Sequence, residues 1–177
     1  MQSYLAIDVP IKTNAKWYQS LVSALSGYAI TWQGGFHITV AFINDELSEE
    51  AIQNVERTLH PILSKTAVQT ICLNKLDAFT TLKGDQHIIC ITSVEPSRQF
   101  LKLVDDIKGQ LAEFNVTPFR MHITLGRVDA SNVNLAELKS KIESLQQPNF
   151  NINLTKVKYR MYQGKGDVRS WNFHNRQ

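Results

Sequence analysis

The sequence predicts an α+β fold of two similar lobes, each an antiparallel sheet with helices on its outer face, with a cleft between them. Three observations carry this. Short apolar, strand-like stretches alternate with amphipathic ones along the chain. The order strand, helix, strand, helix, strand runs from Tyr4 to Leu76 and again from His87 to Leu154. The same tripeptide, His-Ile-Thr, stands in the central strand of each half, its histidines at positions 37 and 122 of 177 residues. That separation is too long for a solenoid repeat. No linker or low-complexity stretch divides the halves, so residues 1–177 are expected to form a single bilobal domain.

Each element has its own justification. Tyr4 to Val9 reads as a short strand ended by Pro10. Trp17, Leu21 and Leu25 recur at helical spacing within an amphipathic stretch from Thr13 to Leu25, and Gly27 suits its stop. Tyr28 to Trp32 reads as a brief strand and Gly34-Gly35 as a turn. Phe36 to Ile43 is the first central strand. Ser48 is a good N-cap, with Glu49 and Glu50 where a helix dipole favours anions. Pro61 is expected to end that helix near His60. Val68 to Phe79 reads as one or two strands, Lys83-Gly84-Asp85 as a turn, and His87 to Thr92 as another strand. A helix follows from Ser97 to Phe114, then the second central strand from Phe119 to Val128. Asn134 with Glu137 three residues on resembles a capping box opening a helix to Leu145. Phe150 to Leu154, Lys156 to Tyr162 and Ser170 to Phe173 read as strands.

Composition narrows the class of protein. Hydrophobic residues make up 43% and charged residues 20%, the balance of an ordinary globular protein. No apolar run reaches the roughly 20 residues a membrane span needs. The opening Met1-Gln2-Ser3-Tyr4-Leu5 lacks the basic start and apolar run of a signal peptide, so the expected location is cytoplasmic. Cys72 and Cys90 lie in strand-like stretches and are expected to be inert core thiols. With no CxxC, no HExxH and no carboxylate at ligand spacing from a histidine pair, no metal or other cofactor is expected. A net charge of +3 suits an anionic substrate in a local positive cleft better than a general nucleic-acid binder.

The chemistry rests on His37-Ile38-Thr39-Val40 and His122-Ile123-Thr124-Leu125. Side chains alternate faces along a strand. Strict alternation puts His37, Thr39 and Ala41 on one face, with Ile38, Val40 and Phe42 on the other. It likewise groups His122, Thr124 and Gly126 opposite Ile123 and Leu125. Ala41 and Gly126 then leave room for a ligand. Two histidines flanking a phosphate can act as acid and base, because an imidazole populates both protonation states near neutrality. Each threonine hydroxyl can donate a hydrogen bond to a non-bridging oxygen. Arg127 falls on the face of Leu125 under strict alternation and reaches the cleft only at the strand end or through a bulge at Gly126. Arg120 shares the face of His122. Lys156, Lys158 and Arg160 form a basic stripe that could meet an RNA backbone. Tyr4, Phe36, Phe79, Phe119 and Trp171 are candidates for base stacking. His60, His87 and His174 lack a threonine two residues on and are read as non-catalytic.

These motifs resemble the two signatures of the 2H phosphoesterase superfamily, specifically its 2′–5′ RNA ligase-like, RNA 2′,3′-cyclic phosphodiesterase branch. Tyr4-Leu5-Ala6-Ile7-Asp8-Val9-Pro10 resembles its opening strand, Phe36 to Ile43 its first motif, and His122-Ile123-Thr124-Leu125-Gly126-Arg127 its second. Asn44, Met121 and the absence of an arginine leading the first strand depart from the pattern. The resemblance implies hydrolysis of 2′,3′-cyclic nucleotide or RNA-end phosphates to 2′-phosphomonoesters, and it leaves open reversible 2′–5′ ligation. It implies catalysis by His37, Thr39, His122 and Thr124, with His37 as acid and His122 as base, and it favours Tyr4 and Phe79 as the stacking pair. The expected partner is a nucleotide or RNA-end phosphate, with no membrane, and the expected state is a monomer. The alternatives are a phosphodiesterase on 2′–5′ oligonucleotides or an ADP-ribose cyclic phosphate, and a non-catalytic RNA- or nucleotide-binding module.

Overall fold

The computed structural model describes residues 3–43, 47–114, 116–161 and 167–172, the last six and residues 160 and 161 by backbone alone. Asn44, Tyr162, Phe173 and His174 lie outside the described residues, as do the side chains of Arg160 and Trp171. In chain order the elements are β1 (Ser3–Asp8), α1 (Lys16–Ala24), β2 (Thr31–Trp32), β3 (His37–Ile43) and α2 (Glu49–Lys65). Then come β4 (Gln69–Leu73), β5 (Lys75–Thr80), β6 (Gln86–Thr92), α3 (Arg98–Gly109) and β7 (Val116–Thr117). The last are β8 (Ile123–Asp129), α4 (Leu135–Glu143), β9 (Phe150–Leu154), β10 (Lys156–Met161) and β11 (Asp167–Asn172).

The fold is α+β, and its antiparallel strands run in the order β11-β10-β1-β3-β8-β6-β5, with β2 added to β8 and β7 to β3. β4 and β9 make a separate ribbon. The two central strands meet at a single register pair, Ile38 with Ile123, each the residue after its histidine. On one side of this join stand β1, β10 and β11 with helices α2 and α3; on the other stand β5 and β6 with α1 and α4. The lobes are therefore not the two sequence halves. Helix α3 packs on β3 and α2, helix α1 packs on α4, and β2 and β7 each pair with the central strand of the other half.

Local chemistry explains most boundaries. The Ser48 and Ser97 hydroxyls accept from the N–H groups of Ala51 and Phe100, and Asn134 Oδ1 accepts from those of Ala136 and Glu137. The capping box is one-sided, because the Glu137 carboxylate accepts from the Tyr28 hydroxyl instead. Helix α2 does not end at His60 but runs through Pro61 to Lys65. An interior proline costs about 3 kcal/mol. Its apolar stripe of Ile52, Val55, Leu59 and Leu63 is buried throughout, at about 1.5–3 kcal/mol per side chain, and Leu63 lies beyond the proline. The hydroxyls of Ser64 and Thr66 also donate back to the carbonyls of Pro61 and Ile62. The second central strand begins at Ile123 rather than Phe119.

Candidate functional site

Both central strands carry a β-bulge at the same place. Along β1 and β3, Leu5 stands opposite Ala41 and Ala6 opposite Thr39, so Val40 is the extra residue. Along β6 and β8, Ile89 stands opposite Gly126 and Cys90 opposite Thr124, so Leu125 is the extra residue. Each extra residue lies three positions after its histidine. A bulge reverses the face of every side chain beyond it. Strict alternation therefore fails after each His-Ile-Thr. Ala41 is 1% exposed in the core, and Phe42 joins His37 and Thr39 in the cleft. Gly126 lies against Ile30 and Trp32, and Arg127 joins His122 and Thr124.

The cleft has a volume of about 850 Å³ and its lining includes His37, Thr39, His122 and Thr124. Tyr4, Phe79, Arg120 and Arg127 also line it, so all eight site residues read from the sequence meet in one place. The sequence reading missed Phe42, Gln33, Thr117 and Leu82 as lining residues. A signal for Phe42 existed: it stands five residues after His37, as Arg127 stands after His122. Phe119, one of the stacking candidates, lines the cleft, whereas Phe36 packs edge-on to Tyr18 against the core.

Each histidine has an aromatic neighbour. The Tyr4 ring stacks on His37 at 5.4 Å between centroids and on Phe42 at 6.1 Å. Phe79 meets His122 edge to face at 5.1 Å, and the Arg120 guanidinium lies 3.7 Å above the Phe79 ring centre. The two nitrogens of His122 are distinguished by one bond. Nδ1 lies 2.9 Å from the Arg120 carbonyl oxygen. A carbonyl can only accept, so Nδ1 carries the hydrogen and Nε2 of the neutral ring has the lone pair. The Thr92 hydroxyl donates to the Met121 carbonyl at 2.6 Å and steadies the segment leading into His122. Burial holds the His122 pKa below the usual histidine value. The nearby charges of Arg120 and Arg127 act the same way, and only the bond to Arg120 opposes them. A lowered pKa favours the neutral imidazole.

The other histidines and both cysteines have separate settings. His87 is 5% exposed; its Nε2 donates to the Val133 carbonyl, so its Nδ1 accepts from the Thr80 hydroxyl, both at 2.9 Å. It ties β5 and β6 to the loop before α4. His60 is exposed on α2. Cys90 is buried, with its thiol pushed up to about 12, chiefly by burial. Half-buried Cys72 donates to Asn149. In the basic stripe, Lys158 is ion-paired with Asp8 at 2.7 Å. Among the described residues no group of three or more His, Cys, Asp or Glu could hold a metal ion, and no helix is long and apolar enough to cross a membrane.

The paired His-x-Thr strands bring both histidines into one cleft. The chain belongs to the 2′–5′ RNA ligase superfamily, whose family model matches residues 18–165. No curated protein sequence matches it. Its fold is similar to that of Escherichia coli LigT complexed with 3′-AMP, at 18% identity and TM-score 0.62, covering 98% of each chain. TT0787 of Thermus thermophilus matches at 14% identity and TM-score 0.69, covering 100% of each chain. Usb1 of Kluyveromyces marxianus matches at 8% identity and TM-score 0.65, covering 98% of each. Other crystals of the E. coli protein hold NADP+, ATP or phosphate.

Proposed function

We propose that the protein hydrolyses 2′,3′-cyclic nucleotide or RNA-end phosphates to 2′-phosphomonoesters, with His122 as general base, His37 as general acid, and no metal or cofactor. The observation that carries this reading is the convergence of His37, Thr39, His122 and Thr124 on one cleft. The order of roles is supported by His122, whose Nδ1–H is engaged by the Arg120 carbonyl and whose pKa is held low. A base needs a free lone pair at working pH.

In this mechanism Nε2 of His122 takes a proton from water as the water oxygen bonds to phosphorus. The bond from phosphorus to O3′ breaks, and His37 gives its proton to O3′. The phosphate remains on O2′. Thr39, Thr124 and Arg127 donate hydrogen bonds to the non-bridging oxygens, where charge builds in the transition state. A 5′-hydroxyl in place of water would give a 2′–5′ linkage by the same steps, which is the ligase direction. Tyr4 and Phe42 offer a shelf for a base beside His37. The reading takes residues 1–177 as one bilobal unit acting as a cytoplasmic monomer.

The test is incubation with 2′,3′-cyclic nucleotides, 2′–5′ oligonucleotides and an ADP-ribose cyclic phosphate in excess EDTA, with products resolved by phosphorus NMR. The proposal predicts 2′-phosphomonoesters at rates that EDTA leaves unchanged. A 3′-phosphate product, or inhibition by EDTA, would contradict it. Turnover confined to one of the other two substrates would move the substrate assignment to it.

A further inference from the structure

The charges around the cleft exceed what a cyclic monophosphate needs. Arg120 and Arg127 both line it, and among the described lining residues there is no Asp or Glu. Among the described residues, neither arginine is ion-paired with a carboxylate. A nucleoside 2′,3′-cyclic phosphate carries one negative charge, which the threonines and Arg127 can meet. Arg120 adds a second cation to the same cleft. Its guanidinium lies over the Phe79 ring, and the same ring touches His122. The flat cation is thus supported on an aromatic face next to the reacting centre, with its N–H edge left for an acceptor. A cleft of about 850 Å³ is at the upper end of the range for small-molecule sites, which leaves space beyond a single nucleoside.

Building on the proposed function, we infer that Arg120, braced on Phe79, is a subsite for a second phosphate, so that the protein selects nucleotides bearing one over nucleoside cyclic monophosphates. Arg120 serves two separable purposes. Its carbonyl orients His122 whatever its side chain, and its guanidinium reads the substrate. A side-chain substitution therefore leaves the hydrogen bond to His122 in place while removing the cation. Stacking of a base on the guanidinium plane is the competing use of the same group. The two differ in what they respond to: a second phosphate is felt through charge and salt, a stacked base through its ring.

The experiment is calorimetric binding of adenosine 2′-monophosphate and adenosine 2′,5′-bisphosphate to the wild type, Arg120→Gln and Arg120→Lys, at two salt concentrations. Charge-assisted hydrogen bonds to a phosphate predict a wild-type preference of roughly tenfold or more for the bisphosphate, falling as salt rises. The preference should drop to within about twofold in Arg120→Gln and be partly kept in Arg120→Lys. Equal wild-type affinities, or a preference that survives Arg120→Gln, would overturn the inference. So would an equal loss for both ligands, which stacking predicts. Hydrolysis of adenosine 2′,3′-cyclic phosphate by the same wild-type preparation is measured separately. Its failure would count against the catalytic reading while the binding ratio still decides the subsite.

Discussion

Replacing Gly126 with alanine demands space that β8 does not have. A Cβ built there would lie 2.8 Å from Ile30 Cγ2, 3.0 Å from Trp32 Cε3 and 3.3 Å from Trp32 Cζ3. Non-bonded carbons pack best at about 3.5–4.0 Å, so both side chains would have to retreat by several tenths of an ångström. Trp32 belongs to β2, which pairs Trp32 with Gly126 and Thr31 with Arg127, and the next residue, Gln33, donates its N–H to the Leu125 carbonyl. The retreat would strain this pairing beside the bulge. Overpacking of this kind costs about 1–3 kcal/mol, and the lower unfolded-state entropy of alanine returns about 0.4–1 kcal/mol. Taking the middle of each range, the net loss is about 1.3 kcal/mol, and each kcal/mol lowers Tm by about 2–4 °C for a chain of this size. Urea unfolding followed by tryptophan fluorescence measures it, with an unchanged m-value as the control. Stability equal to or above wild type would refute the close packing of β2 on Gly126.

Other outcomes follow from the same geometry. The profile of kcat/KM against pH should be a bell whose acid limb lies below 6.5, because His122 must be neutral to accept a proton and its pKa is lowered. Arg127→Gln removes a charge that depresses this pKa, so the acid limb should move to higher pH; a move to lower pH would contradict the assignment. Thr39→Ala and Thr124→Ala each remove one donor and should slow turnover roughly tenfold, less than loss of either histidine. Threonine variants as inactive as the histidine variants would break that ranking. His87→Phe leaves the buried Val133 carbonyl without its partner, at about 1–3 kcal/mol, and the half-buried Thr80 hydroxyl without its own at a smaller cost, measured by urea unfolding. A His87→Phe protein as stable as wild type would show that this bridge contributes nothing.

The parts of the fold that local chemistry decides were legible in the sequence. Both His-x-Thr strands and the caps at Ser48 and Asn134 could be read from residue type and spacing, and the family resemblance implied that His37, Thr39, His122 and Thr124 act together. The bulges could not, because a bulge is a relation between two strands and the register of a partner is not written in either. Ala41 and Phe42 were consequently placed on the wrong faces, as were Gly126 and Arg127. The glycine at position 126 was a partial signal, since a strand glycine often marks a bulge or a close approach. Here it marks a close approach, and the bulge itself lies one residue earlier, at Leu125. The exchange of helices between lobes was hidden for a similar reason. An amphipathic helix shows which face it buries but not which sheet it buries it on. Pro61 misled because the apolar stripe through Leu63 outweighs the proline's local cost.

The central claim is that two histidines share the proton transfers, and it is tested most directly by turnover of a 2′,3′-cyclic nucleotide by the wild type, His37→Ala and His122→Ala. The mechanism predicts that each single variant loses on the order of a hundredfold to ten-thousandfold in kcat, and that the double variant loses little more than either. Near wild-type turnover in either folded single variant would contradict it.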